Sequence, residues 1–213
     1  MEWLSLKIVY EYSHLNGLEH LMVHKPELLE EIRAAIKNIN ANDFIKISND
    51  KVKKGKKLYD QKKINKAFQD ELYPKGWKSV TTPYYVADNI ETIKDTIKIR
   101  DCDEQRDEIL KRSSLPLKTN NQVDFVKNRV AVEVQFGKYF SIAYDLHVKH
   151  TFFYLRDDID VGVEILPTQA MRKKMDTGVG WFENEVANVI REGRSNPSVP
   201  IYMIGIEPEN IEI

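Results

Sequence analysis

The chain reads as an α/β protein, a central mixed β-sheet flanked by helices with a helical N-terminal part. Three observations predict this. Apolar runs rich in β-branched residues stand at 129–136, 159–166 and 199–206, the first two with clear alternation. Helical spacing of apolar residues occupies 26–38 ahead of them and 182–191 between the last two. At 213 residues, 42% hydrophobic and 31% charged, the chain is long enough for one substantial core, and a single domain over 1–213 is expected.

Leu6–Tyr12 is a short strand, closed by Ser13 and the Asn16-Gly17 turn signal. Pro26-Glu27 opens a helix to about Asn38, with Leu28, Leu29, Ile32 and Ile36 on one face and acids in its first turn. Lys46–Lys57 reads as a basic linker. Ile64–Leu72 continues as a helix, stopped by Pro74 and Gly76. Trp77–Val86 is a strand interrupted at Pro83, Ile90–Lys111 gives one or two charged surface helices, and Ser113–Asn121 is a loop.

Val123–Val126 and Arg129–Phe136 then form a hairpin, with only Lys127-Asn128-Arg129 as turn material. Tyr144–Leu155 follows as a helix, Ile159–Leu166 as a strand ended by Pro167, and Gln169–Met175 as a short helix. The loop 176–180 leads to a helix over Phe182–Arg191, a final strand over Val199–Ile206 and an acidic tail, Glu207–Ile213.

Composition excludes several classes. Cys102 is the only cysteine, so neither an intrachain disulfide nor a cysteine-rich zinc site can form, and a reducing cytoplasm is the expected compartment. There is no signal-peptide pattern and no apolar run near the roughly 18 residues that span a bilayer, so no membrane association is expected. Net charge is −1, yet Lys46–Lys78 holds eleven lysines against four acids, a surplus of seven. Such a block can neutralise phosphates, or it can be a solvated loop. His14, His20 and His24 lack the partners of a zinc site, and His147 and His150 lack a metalloprotease pattern; structural or surface roles are expected.

The hairpin carries the chemistry. Side chains alternate across a strand, so Val132 and Val134 share one face while Ala131, Glu133 and Gln135 share the other. With the turn centred on the Asn128–Arg129 bond, Asp124 stands as far before it as Glu133 stands after it, and the two face each other. Facing like charges destabilise a ladder unless something bridges them. A hard divalent cation is one bridge, since it prefers carboxylate oxygens; two acids on a solvated ribbon are the plainer alternative.

An acid on one strand, then an acid and a polar residue at i, i+2 on the next, resembles the PD-(D/E)xK nuclease core, with Gln135 where a lysine is usual. The run Val132-Glu133-Val134-Gln135-Phe136-Gly137-Lys138-Tyr139, with Asp124 before it and Asp70–Lys78 upstream, resembles the type II restriction endonucleases of the BstYI/BglII group. Tyr10–Gly17 and Val161–Pro167 resemble the BstYI side of that group, and the likeness runs from about Val9 to Ile206. It implies a restriction-endonuclease-like fold in which Asp124, Glu133 and the Val134 carbonyl ligate Mg²⁺ and Gln135 holds the attacking water.

It further implies that Lys138 reaches base edges in the major groove, where a lysine can donate to guanine. The asparagine that BglII-like enzymes carry after the Trp-Lys pair is absent here, where Ser79-Val80 stand. Thr177 is a second base-contact candidate by its place in a glycine-flanked loop, beside the basic Arg172, Lys173 and Lys174. The substrate implied is double-stranded DNA at a palindrome with a GATC centre, of the form purine-GATC-pyrimidine. A palindrome is most simply read by a homodimer, and a cognate methyltransferase would protect the site without needing to bind this chain. The Tyr144–Leu155 helix, with Phe153, is expected at the dimer interface. A structure-specific repair or recombination nuclease on the same core and a non-catalytic DNA-binding protein are the other readings.

Overall fold

In the computed structural model, residues 5–49 and 51–211 are described. The N-terminal part runs β1 (Leu6–His14), α1 (Gly17–His24), α2 (Pro26–Asn38), β2 (Ile45–Ile47), β3 (Lys57–Tyr59) and α3 (Gln61–Leu72). It is followed by β4 (Lys78–Ala87), α4 (Ile90–Thr96), α5 (Cys102–Lys111), β5 (Pro116–Lys127) and β6 (Val130–Val134). Next come α6 (Tyr139–Tyr144), a π-helical turn (Asp145–Lys149) and α7 (His150–Leu155). The chain closes with β7 (Val161–Pro167), α8 (Gln169–Arg172), α9 (Phe182–Glu192) and β8 (Ile201–Pro208).

The principal sheet has the order β1-β8-β7-β6-β5-β4. It is mixed: β6 and β7, and β7 and β8, pair in parallel, while β1/β8 and β5/β6 are antiparallel. Every residue of β6 and β7 is buried, as strands covered on both faces require. On one face Val132, Val134, Val163, Ile165 and Ile204 pack with Leu28, Ile32 and Ile36 of α2 and Phe68 of α3. On the other, Leu166, Ile201 and Met203 pack with Ile142 of α6, Leu146 of the π turn and Phe182 and Val189 of α9. Ala131 and Glu133, alternating with Val132 and Val134, therefore point toward the α6–α7 side.

The chain divides into two compact units. One comprises the described residues through Lys78 and those from Asp124 onward; the other is Ser79–Val123. In the second, Asn89 caps α4 by accepting from Thr92 N at 2.9 Å and Asp101 caps α5 by accepting from Glu104 N at 2.8 Å. The buried Gln105 side chain accepts from Tyr85 N at 2.7 Å and donates to Thr96 O at 3.1 Å, tying α5 to the strand and to α4.

Several expected elements differ. Lys46–Lys57 is not a linker: β2 and β3 pair antiparallel around a turn at 51–55. Lysine side chains anchor this ribbon, Lys46 to Asp176 at 2.8 Å and Lys53 to the carbonyls of Lys173 and Met175. β5 starts at Pro116, inside the stretch expected to be a loop, because backbone pairing with a sheet neighbour holds a polar sequence that alternation alone does not mark. β4 runs unbroken through Pro83, which an edge strand tolerates since its missing N–H can face outward.

α1, at eight residues, is too short for helical spacing to announce it. It sits so close to β8 that a Cβ on Gly17 would lie 2.4 Å from the Ile201 carbonyl carbon. The Tyr144–Leu155 helix begins earlier, at Tyr139, and contains the π turn. Phe153 is 1% exposed within its own chain, so it belongs to the core and does not present to a partner. α8 stops at Arg172, short of Met175. β8 takes in Glu207 and Pro208 from the expected tail, whose Glu212 and Ile213 lie outside the described residues.

Candidate active site

The site is built from the β5–β6 hairpin. Asn128 and Arg129 both adopt positive φ, 44° and 68°, as a two-residue turn matching strand twist requires. The Arg129 guanidinium donates to Asp160 at 2.9 Å and to Asp157 at 2.5 Å, fixing the turn against the segment before β7. Lys127 Nζ lies 2.7 Å from Glu31 Oε1 and from the Lys75 carbonyl. The register is Phe125↔Val132, Val126↔Ala131 and Lys127↔Val130, as the expected turn centre demands. Beyond the last ladder pair, Val134 N donates to Asp124 Oδ2 at 3.4 Å, bringing Asp124 to the end of β6.

Glu133 is not on a solvated face. It is 1% exposed, on a strand with neighbours on both sides. Burial pushes its carboxyl well above the usual range, and the neighbouring Asp124 and Asp145 push it further. Lys149 opposes this, its Nζ 3.0 Å from Glu133 Oε1 and 2.7 Å from Asp145 Oδ1. Burial raises the Asp145 carboxyl too, against the pull of Lys149. Burial alone would lower Lys149, but the two carboxylates outweigh it and hold the ammonium charged.

Gln135 follows the strand, held by its own N–H donating to Ile165 O at 3.0 Å. Its side-chain amide is fixed at both ends: Nε2 donates to Asp145 Oδ2 at 2.7 Å, and Oε1 accepts from Gly137 N at 2.9 Å. Gly137 is needed for that approach, since a Cβ there would lie 2.5 Å from Gln135 Oε1. An amide offers two donors and two lone pairs, so one of each is left for a water.

Behind this cluster, Glu164 sits beside Glu133 in the parallel register. His150 Nε2 lies 3.2 Å from Glu164 Oε2, with both side chains fully buried. Burial lowers the imidazole to about 3 and raises the carboxyl, so the pair is a neutral hydrogen bond. Two of the other histidines have structural places, His14 with its Nε2 2.7 Å from Pro197 O and His147 3.3 Å from Glu192.

Among the described residues no group of three or more His, Cys, Asp or Glu side chains could by itself hold a metal. A magnesium-type ion does not need one, since it keeps several waters and uses one or two carboxylates plus substrate phosphate oxygens. Asp124 and Glu133, close enough at the end of β6 to repel each other, suit such a half-built site. Burial is the larger cause of the upward shift at Glu133, and the repulsion from Asp124 that adds to it is what a divalent cation would relieve.

The second group of expected residues lies on a neighbouring surface. Lys138 Nζ donates to the Thr177 carbonyl at 3.0 Å, and Lys138 and Val179 form an antiparallel bridge. They border an open cavity of about 520 Å³ that Lys46 and Gln61 also line. Arg172 turns away from it, donating to Val179 O at 3.1 Å and stacking 4.2 Å over the Trp181 ring. Lys173 is exposed and Lys174 half-buried on the turn after α8. Asp145 and Lys149 were not foreseen; their only sequence mark is an acid and a lysine four residues apart.

A family model described as restriction endonuclease BglII/BglIII matches residues 9–206. Among solved structures, the fold is similar to BglII complexed with a DNA 16-mer, with a TM-score of 0.62 at 19% identity, covering 94% of this chain and 77% of that one. It is also similar to free BglII, with a TM-score of 0.58 at 16% identity and coverage of 94% and 78%. No curated protein matches. No helix among the described residues is long and apolar enough to cross a membrane.

Proposed function

From the premise that the chain belongs to the BglII/BglIII restriction endonuclease family, type II site-specific deoxyribonucleases, we propose a specific site and chemistry. The enzyme hydrolyses double-stranded DNA at a six-base palindrome with a GATC centre, of the form purine-GATC-pyrimidine. Asp124, Glu133 and the Val134 carbonyl hold Mg²⁺, and Gln135 orients the attacking water. The observation carrying this reading is the convergence of Asp124, Glu133 and the doubly anchored Gln135 amide at one end of β6. When bound, the ion supplies a hydroxide at neutral pH and a charged clamp on the scissile phosphate. Gln135 carries no charge, so it directs the water by hydrogen bonds and leaves its acidity to the rest of the centre.

Lys138 and Thr177, side by side at the open cavity, are the proposed base-reading pair, with Lys173 and Lys174 as phosphate contacts nearby. Arg172, committed to Val179 and Trp181, acts by shaping that loop. A palindromic site calls for a homodimer. Its interface is assigned to the outward side of α6, the π turn and α7, where Phe140, Val148 and Leu155 are exposed. The cognate methyltransferase acts on the same DNA sequence.

Asp124→Asn and Glu133→Gln should each abolish cleavage of duplex DNA while retaining specific binding, since these groups act on the metal rather than the bases. Cutting at near wild-type rates by either variant would refute the site. Lys138→Ala should weaken cognate binding by roughly 1–3 kcal/mol and non-specific binding less, measured by titration at fixed salt. Equal losses on both DNAs would reduce Lys138 to a phosphate contact. Val148→Asp should convert the dimer to monomers in sedimentation; an unchanged mass would move the interface elsewhere.

A further inference from the structure

We propose that Lys149 is a positioning residue of the nuclease centre, supplying from the π turn the fixed positive charge that Gln135 does not carry. The proposal rests on reading Asp124 and Glu133 as the metal-holding pair. Lys149 Nζ bridges Glu133 Oε1 at 3.0 Å and Asp145 Oδ1 at 2.7 Å, with side-chain exposures of 19%, 1% and 2% for Lys149, Glu133 and Asp145. Each carboxylate thereby divides its oxygens. Glu133 gives Oε1 to the ammonium, and its other oxygen would be left for a bound cation. Asp145 gives Oδ1 to the ammonium and Oδ2 to Gln135 Nε2.

One connected path thus runs from Glu133 through Lys149 and Asp145 to the Gln135 amide and Gly137 N. The ammonium sets the metal-holding carboxylate and the water-orienting amide relative to each other.

A purely structural ion pair accounts for this poorly. Buried charges are costly to desolvate, and apolar replacements often stabilise equally well. The cluster is also not sealed: Gln135, Ser141, Tyr144, Asp145 and Lys149 line an open cavity of about 410 Å³. Both Asp145 and Lys149 lie in the one π-helical turn of this helical stretch, a form concentrated at functional sites.

The test uses the full chain with Lys149→Met and Lys149→Arg, read by Mn²⁺ calorimetry, thermal melting and cleavage at saturating Mg²⁺. Removing a positive charge beside the ion should tighten Mn²⁺ binding in Lys149→Met, on the order of fivefold. The same variant should cleave about a hundredfold more slowly even with metal saturating, while remaining folded. Lys149→Arg should recover most of the rate. Near wild-type cleavage by Lys149→Met would overturn the proposal. So would weaker Mn²⁺ binding together with a lowered melting temperature and no rescue by arginine, the pattern of a structural residue. Persistent cleavage by Asp124→Asn would instead sink the metal-site reading beneath it, so the two failures are distinguishable.

Discussion

The cost of burying a carboxylate on an interior strand governs the arrangement around β6. Glu133 has lost its water, and desolvation disfavours its charged form. Asp124 comes to the end of the same strand and Asp145 faces it from the π turn, so repulsion adds to desolvation. The chain answers with one ammonium, from Lys149, placed against two of the three acids. Under the proposed function, this arrangement serves cation binding rather than stability.

The rest of the sheet serves that placement. Parallel β6 and β7 must be covered on both faces, which leaves the strand end as the outlet where Gln135 meets a cavity that Asp145 and Lys149 also line. The Asn128–Arg129 turn sets the register that delivers Asp124, and Arg129 and Lys127 lock that turn to Asp160 and Glu31. Glu164, in register beside Glu133, would add a further like charge were it ionised. Its hydrogen bond with a neutral His150 and its deep burial keep it out of the balance. Gly162 makes room, since a Cβ there would lie 2.6 Å from the imidazole.

Much of this was legible in sequence because it depends on local chemistry. Pro26 and the spacing from Leu28 to Ile36 mark α2 to the residue, and the two-residue turn fixes the hairpin register without any knowledge of the fold. What stayed hidden is long-range. Nothing in the alternation of 130–134 tells a two-stranded ribbon from a fully covered strand, and that difference decides whether Glu133 is solvated. Asp145 and Lys149 look like an ordinary i, i+4 pair, and their role appears only when the helix packs back over the strand. The lysines of 46–57 read as a linker, yet Lys46 and Lys53 fasten a ribbon to a distant loop. Phe153 looked available for a partner because periodicity shows that a face is apolar, not what covers it.

The most direct measurement is digestion of DNA of known sequence in Mg²⁺, with the fragment ends mapped to the nucleotide. Discrete fragments are expected, every one ending within a purine-GATC-pyrimidine site, and none when the metal is chelated. Ends that share no sequence but follow junctions, flaps or gaps would contradict it, as would cleavage that persists in chelator.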